Sequence, residues 1–313
     1  MALQITAHSI KQELESRGYD VSVIQSQKGP ILSFMQGDRQ RYTLSSSPDL
    51  SSGIATVICN DKLAFDQLAR SLELPIPDTQ SYVDETRALE FMERSGSIVV
   101  KPVDGAHGNG ISTDVSSAES LQLAIRDAKD AYPESEILLQ RQVSGEDYRL
   151  LMIDGQLVAA AKRVPAMVTG NGVSTIEQLI LDENAGDKRT VAYSDRLCKI
   201  DETKAWSYLK QRRSDVPGEG ESVQVVGTAN IGSGGYAEDV TDDIPQHINE
   251  LATLLVGSLG AFVCGVDFMH DESSDEWHLI EANTAPSFGL HMNPQKGESR
   301  PVVNRFVDAL LAD

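Results

Sequence analysis

The stretch Val99–Ile111, VVKPVDGAHGNGI, passes from an apolar run through Lys101 and Pro102 into a loop holding Gly105, Gly108 and Gly110. Glycines clustered in this way make either a tight turn or a backbone cradle for an anion, and the cluster alone does not choose between them. Two familiar phosphate loops are excluded. A Walker loop closes on Gly-Lys-Ser/Thr where this one closes on Gly110, Ile111 and Ser112, and the dinucleotide pattern GxGxxG is absent here. The lysine favours the anion: at a strand end, Lys101 places an ammonium where the N–H groups of the following loop can converge.

Working outward, the segments GVDFM (Gly265–Met269) and LIEANTAP (Leu279–Pro286) place Asp267, Glu281 and Asn283 at the ends of two strands. Alternation along a strand puts Glu281 and Asn283 on one side, so three oxygen donors can face one point. Hard oxygen donors suit Mg²⁺, with Mn²⁺ as a substitute, bound together with substrate phosphates. Solvated strand-end carboxylates remain the alternative for each of them singly.

The 313-residue chain is long enough for two or three packed units. A net charge of −20 argues against binding a phosphate backbone, so no nucleic acid partner is expected. No run approaches the roughly 18 apolar residues of a membrane span, and the N-terminus lacks a secretory signal pattern. A soluble, cytoplasmic protein is predicted. Cys59, Cys198 and Cys264 are widely spaced and match no zinc pattern, so they are expected to be plain thiols.

Amphipathic spacing predicts a helix over 5–18, then strands near 20–25, 31–35 and 41–44, closed off by the polar segment SSSPDLSSG at 45–53. IATVICN (54–60) reads as a strand, because β-branched residues dominate it. Asn60 or Asp61 can cap a helix to about Ser71, which Pro75 and Pro77 prevent from continuing. Further helices are expected near 84–94, from Ser117, near 245–259 and at the C-terminus. EILLQRQV and YRLLMIDGQLVAAAKRV read as strands, the latter a hairpin turning at Asp154-Gly155. Lys188, Arg189, Arg196, Lys199, Lys204, Lys210, Arg212 and Arg213 form a basic cluster in this acidic chain, either a solvated face or a site for an anion.

In order, NDKLAFDQLARSLELPIPDT, VVKPVDGAHGNGI, LQRQVSGEDYRLLMIDGQLVAAAKRVPA, ANIGSGGYAEDVTD, GVDFM and IEANTAP resemble the motifs of the ATP-grasp ligases. The pattern is most like the ATP-grasp modules of cyanophycin synthetases and bifunctional glutathione synthetases, and it covers roughly residues 55–313. The large partner module of those relatives is not expected here. The resemblance implies an α+β ATP-grasp fold, two α+β subdomains clasping ATP behind a short N-terminal α/β unit. The expected division is 1–58, 59–140 for the small subdomain with its flap, and 141–313 for the large one.

It further implies that Lys62 and Lys101 contact ATP phosphates, that Gly105, His107, Gly108 and Gly110 form a mobile flap, and that Gln140 and Val143 lie on the adenine hinge. His107 is otherwise a merely exposed loop histidine. Glu146 matches the ribose-binding acid. Arg149 and Arg163 could reach phosphate or a substrate carboxylate, with surface salt bridging as the alternative. Asn230, Ser233, Gly234 and Gly235 match the segment beside the reacting carboxylate, where glycine N–H groups can stabilise a developing oxyanion.

The expected activity is ATP-dependent amide or peptide bond formation through an acylphosphate, on amino acids or small peptides, anionic ones if the basic cluster lines the acceptor side. A homodimer is possible. A non-catalytic nucleotide-binding regulatory module, or a ligase modifying a ribosomal peptide, is the alternative; the short N-terminus leaves little room for the leader-binding extension of the latter.

Overall fold

The computed structural model describes residues 5–105, 109–190 and 197–312. Helix α1 (Ile5–Ser16) leads into an antiparallel meander of β1 (Ser22–Ser26), β2 (Gly29–Gln36), β3 (Arg39–Leu44) and β4 (Ser47–Pro48). Helices α2 (Gly53–Asn60) and α3 (Lys62–Ser71) follow. A second antiparallel sheet, in the order β5-β8-β6-β7, is built from β5 (Thr79–Ser81), β6 (Ile98–Pro102), β7 (Ser112–Val115) and β8 (Ile137–Arg141). Its Val100, Ile98 and Leu139 pack on α4 (Glu85–Ser95) and α5 (Ala118–Ala131).

The hairpin β9 (Glu146–Ile153) and β10 (Gln156–Val164) turns where expected, with positive φ at both Asp154 and Gly155, the geometry of a type I′ turn. Beyond it lie β11 (Met167–Thr169), α6 (Ile176–Ala185), β12 (Arg189–Thr190), β13 (Leu197–Cys198), α7 (Glu202–Leu209) and β14 (Ser222–Gln224). They enclose a small core of their own that includes Ile180, Ile200, Ala205 and Val225. The chain then adds β15 (Tyr236–Asp239), α8 (Gln246–Leu259), β16 (Val263–Asp271), β17 (Glu276–Asn283), the short α9 (Gly289–Met292) and α10 (Val302–Ala312). The central sheet runs β15-β10-β9-β16-β17, antiparallel throughout.

Period-2 alternation divides that sheet by face. Leu150, Met152, Val266 and Phe268 face a core with Phe65 of α3 and Leu255 of α8. On the other face, Leu151, Ile153 and Val263 share a core with Ile10 and Leu14 of α1, Phe34 of β2 and Phe306 of α10. This second face changes character along β9: apolar at Ile153 and Leu151, it continues as Arg149 and Asp147. The site begins at that change.

One element differs from its sequence reading. Residues 54–60 are helical, not extended, because Ser52 caps the turn by accepting from the Ile54 N–H at 3.2 Å, and Ala55, Ile58 and Cys59 fit the core beside α8. Tertiary burial here outweighs the local β preference of Ile, Thr and Val. Among the described residues no helix is long and apolar enough to cross a membrane.

Candidate active site

Arg149 of β9 stands opposite Asp267 of β16, and Asp267 stands opposite Glu281 of β17. The Arg149 guanidinium donates Nε to Asp267 Oδ1 and Nη2 to Oδ2 at 2.6 Å, while Arg163 Nη2 donates to the same Oδ2 at 2.8 Å. Glu281 Oε1 lies 4.0 Å from Arg149 Nη2. Asn283 pairs with Gly265, where a side chain has no room: a Cβ would sit 2.9 Å from both Arg149 Cδ and Pro286 Cβ. Burial opposes the charge on Asp267, which is 2% exposed, yet the two guanidinium groups hold its carboxyl below the usual range. The protein packed around its carboxylate, and then the Asp267 charge, push Glu281 upward even though half of its side chain stays accessible.

Across the cleft, Lys101 extends from β6 with its Nζ donating to Gln140 Oε1 of β8 at 2.8 Å. Burial lowers the Lys101 ammonium to about 8, against the attraction of Glu281. Lys62 opens α3, which Asp61 caps by accepting from the N–H groups of Leu63 and Ala64. Its Nζ donates to Val103 O at 3.2 Å and to Gly105 O, so α3 grips the first residues of the glycine loop. Burial lowers Lys62 as well, and Glu281 is the foremost charge opposing that shift. Both lysines thus feel the Glu281 charge, and main-chain bonds from Lys62 N–H to Val103 O at 3.1 Å and from Leu279 N–H of β17 to Pro75 O at 2.7 Å tie α3 and the segment after it to the two sheets.

The loop glycines have local reasons to be small. A Cβ on Gly105 would meet Pro102 Cγ at 2.4 Å, and Gly110, at φ +70, sits 3.0 Å from Ala131 Cβ by the same measure. His107 and Gly108 lie outside the described residues, as does Arg196 of the basic cluster. Val143 is half-buried in the connection to β9.

Glu146 does not join this cluster. It faces the opposite side of the sheet, where Lys162 Nζ and Tyr148 Oη each donate to it at 2.8 Å. Asp147 takes the cleft-side position, accepting Arg163 Nε at 2.7 Å. Its carboxyl is pushed up to about 6 by burial, with Asp267 adding to the shift and Arg163 opposing it. Alternation counted back from Arg149 would have selected Asp147, since residues i and i+2 share a face.

The turn at 230–235 also differs from its sequence reading. The N–H groups of residues 232–235 are already used: Gly232 donates to Asn230 Oδ1, Ser233 and Gly235 to Asn230 O, and Gly234 to Ile231 O. They are not free for an oxyanion. The glycines serve close packing instead, Gly234 at φ +98 with a Cβ position 2.7 Å from Ile200 Cα, and Gly235 2.7 Å from Val164 O. Arg189, read in the basic cluster as part of either a solvated face or an anion site, is 6% exposed and donates Nη1 to the carbonyls of Cys198 and Gly234. It holds the turn in place.

His291 of α9 was not singled out by any pattern. It is 2% exposed and neither ring nitrogen has a hydrogen-bond partner among the described residues, while burial and then Arg149 lower it to about 3. The strand-like segment beyond α9 is fastened to β15: Gln295 N–H donates to Ala237 O, Asp239 N–H to Lys296 O, and Arg300 forks onto Asp239 with Nη2 to Oδ2 at 2.6 Å.

The donor set suits a hard divalent cation in kind, since Asp267, Glu281 and Asn283 supply only oxygen. Glu281 is half exposed, with 51% of its side chain accessible, whereas the Asp267 oxygens are shared with two guanidinium groups.

A family profile described as "Prokaryotic glutathione synthetase, ATP-grasp domain" matches residues 61–191. The cyanophycin synthetase of Trichormus variabilis is 30% identical over 98% of this chain and 35% of its own length. The glutathione biosynthesis bifunctional protein GshAB of Listeria welshimeri is 26% identical over 99% of this chain and 41% of its own. This chain therefore spans well under half the length of these relatives, and the likeness also takes in the first 55 residues. Among solved structures, a bifunctional glutathione synthetase from Pasteurella multocida superposes with a TM-score of 0.70 at 22% identity, over 99% of this chain and 43% of that one. With the motif order and the paired sheets, these likenesses identify the chain as a member of the ATP-grasp superfamily.

Proposed function

We propose that the protein is an ATP-dependent carboxylate–amine ligase that joins an amino acid or small peptide to an amine. The observation that carries this reading is the side-chain cluster of Arg149, Arg163, Asp267 and Glu281 on the central sheet, together with Lys101 at the end of β6 and Lys62 bonded to the carbonyls that open the glycine loop. In the first step a substrate carboxylate oxygen attacks the γ-phosphorus, the bond to the β–γ bridging oxygen breaks, and ADP leaves with that electron pair. In the second, the amine nitrogen attacks the acyl carbon, the C–O bond to phosphate breaks with its electron pair going to phosphate, and the nitrogen passes a proton to the departing phosphate as the amide forms.

Both steps gather negative charge on phosphoryl oxygens, so positioning and fixed positive charge suffice and no dedicated acid or base is needed. Lys62 and Lys101 would orient the phosphates. Arg149 and Arg163 are charge-paired with Asp267 and Asp147, so they would serve to fix these carboxylates in position rather than to supply free positive charge. Asp267, Glu281 and Asn283 would hold Mg²⁺, which supplies charge neutralisation to the phosphates when bound.

The test is ADP release by the purified protein with Mg²⁺, ATP and paired candidate carboxylates and amines. Turnover that requires both, and that Glu281→Ala abolishes, supports the ligase. Tight nucleotide binding without turnover on any pair refutes it in favour of a nucleotide-binding module.

A further inference from the structure

Two of the cysteines, distant in sequence, meet in the core on the face of the central sheet turned away from Arg149. Cys264 of β16 alternates with Gly265, which packs against Arg149, and so shares the opposite face with Val266 and Phe268. It is fully buried. Because Gly265 pairs with Asn283, the next residue of the chain, Thr284, lies at the level of Cys264. There α2 is fastened to the sheet by a bond between Thr56 Oγ1 and Thr284 Oγ1 at 3.1 Å. Cys59 stands one turn further along α2, on the side that Ala55 buries in the same core. The two sulfurs are close enough that the Cys59 side chain, ahead of burial, holds the Cys264 thiol well above its ordinary range.

The pair is asymmetric. Cys59 is half-buried and open to a small solute, whereas Cys264 is shielded behind it. Cys198, on β13, is not part of this cluster. Each sulfur also lies a short way along the chain from the cleft. Just beyond Cys59, Asp61 closes α2, its N–H donating to Ile58 O, and caps α3; Lys62 follows and holds the carbonyls of Val103 and Gly105. On the other strand, Gly265 and Asp267 follow Cys264 within one turn of the pleat.

We propose that Cys59 and Cys264 form a redox modification site, which hydrogen peroxide closes into a disulfide that weakens nucleotide binding. The Cys59 sulfur attacks a peroxide oxygen, the O–O bond breaks, and the departing hydroxide takes the thiol proton as water, leaving a sulfenic acid. The Cys264 sulfur then attacks Cys59 Sγ, the S–O bond breaks, and the leaving hydroxide carries off the Cys264 proton as a second water. The thiol pair is oxidised by the two electrons that reduce the peroxide. Bonding brings the sulfurs well inside contact distance. The end of α2 is thereby drawn toward β16, and Asp61 and Lys62 shift against the glycine loop that Lys62 holds. This concerns nucleotide affinity alone and does not depend on the ligase reading.

In the experiment the full chain is treated with hydrogen peroxide, remaining thiols are blocked with N-ethylmaleimide, and unreduced peptides are mapped by mass spectrometry. Affinity for Mg²⁺-ATP is measured by calorimetry before oxidation, after it, and after dithiothreitol. Wild type, Cys59→Ser, Cys264→Ala and Cys198→Ser are compared. The expected result in wild type and C198S is a linked Cys59–Cys264 peptide, with Kd raised about fivefold or more and restored by dithiothreitol. In C59S and C264A no link forms and peroxide leaves Kd unchanged. Both cysteines recovered as blocked thiols, or linked between chains, overturns the site, and wild type alone decides this whatever the stability of the variants. A link without a change in Kd, or an equal change in C59S, overturns its coupling to the nucleotide. No binding of Mg²⁺-ATP by reduced wild type overturns the nucleotide reading and the coupling with it, while the peptide map still decides the site.

Discussion

Single residues in the cleft have consequences that titration and substitution can read. Lys101 falls to about 8 from an ordinary value of 10.5. Between those values the unfolded chain keeps a proton that the folded chain has lost, so stability rises with pH across the window and the burial penalty is fully present below it. Phosphate binding acts the other way and favours the ammonium. Nucleotide affinity should therefore fall as pH rises through about 8, with proton uptake on binding; calorimetry in buffers of different ionisation heat would detect it, and Lys101→Met should remove it. His291 gives a second test. Held at about 3 against an ordinary 6.5, it refuses a proton that the unfolded chain accepts, so stability drops as pH falls through that interval. The contribution is roughly 1.4 kcal/mol per pH unit. His291→Leu should flatten the acid limb of a urea-melt series, and an unchanged limb would contradict the assignment. Asp267→Ala leaves Arg149 without its bidentate partner and Arg163 with Asp147 alone, and should cost about 3 kcal/mol or more in the same melts.

At the scale of elements, turns and caps carry the site. Asp61 orients α3, and α3 presents Lys62 to the glycine loop. Asp61→Ala should cost about 1 kcal/mol of stability and weaken nucleotide binding more than that loss explains, measured by titration at a temperature where the variant stays folded. Gly145, at φ +147, would bring a Cβ to 2.2 Å from His270 O, so Gly145→Ala should shift the start of β9 and lower the melting temperature. Most elements were legible because their signals are local: the cap at Asp61, the cap at Ser117, the Asp154-Gly155 turn and the apolar spacing of α5 each lie within a few residues. Residues 54–60 were not, because their helix depends on packing against α8 and the central sheet.

For the whole molecule, two sheets meet through few side chains, and a nucleotide bound between them should tie them together. Hydrogen exchange should slow on ATP addition at Val99–Pro102, at the start of α3 and at the Asp147 end of β9, leaving the β1–β3 meander unchanged; equal slowing everywhere would argue against a cleft site. Sequence by itself determined the strand-end lysine before the glycine loop and the pairing of Glu281 with Asn283 on one side of a strand, since both follow from short-range pattern and periodicity, while the order of motifs spoke only through its resemblance to a known family. Only tertiary structure decided that Asp147 faces the cleft and Glu146 the opposite side, that Asp267 is clasped by Arg149 and Arg163, and that the N–H groups of residues 232–235 are spent. The reason is physical. Alternation tells which residues share a face, but which face meets the cleft, and which donors remain free, depends on partners distant in the chain.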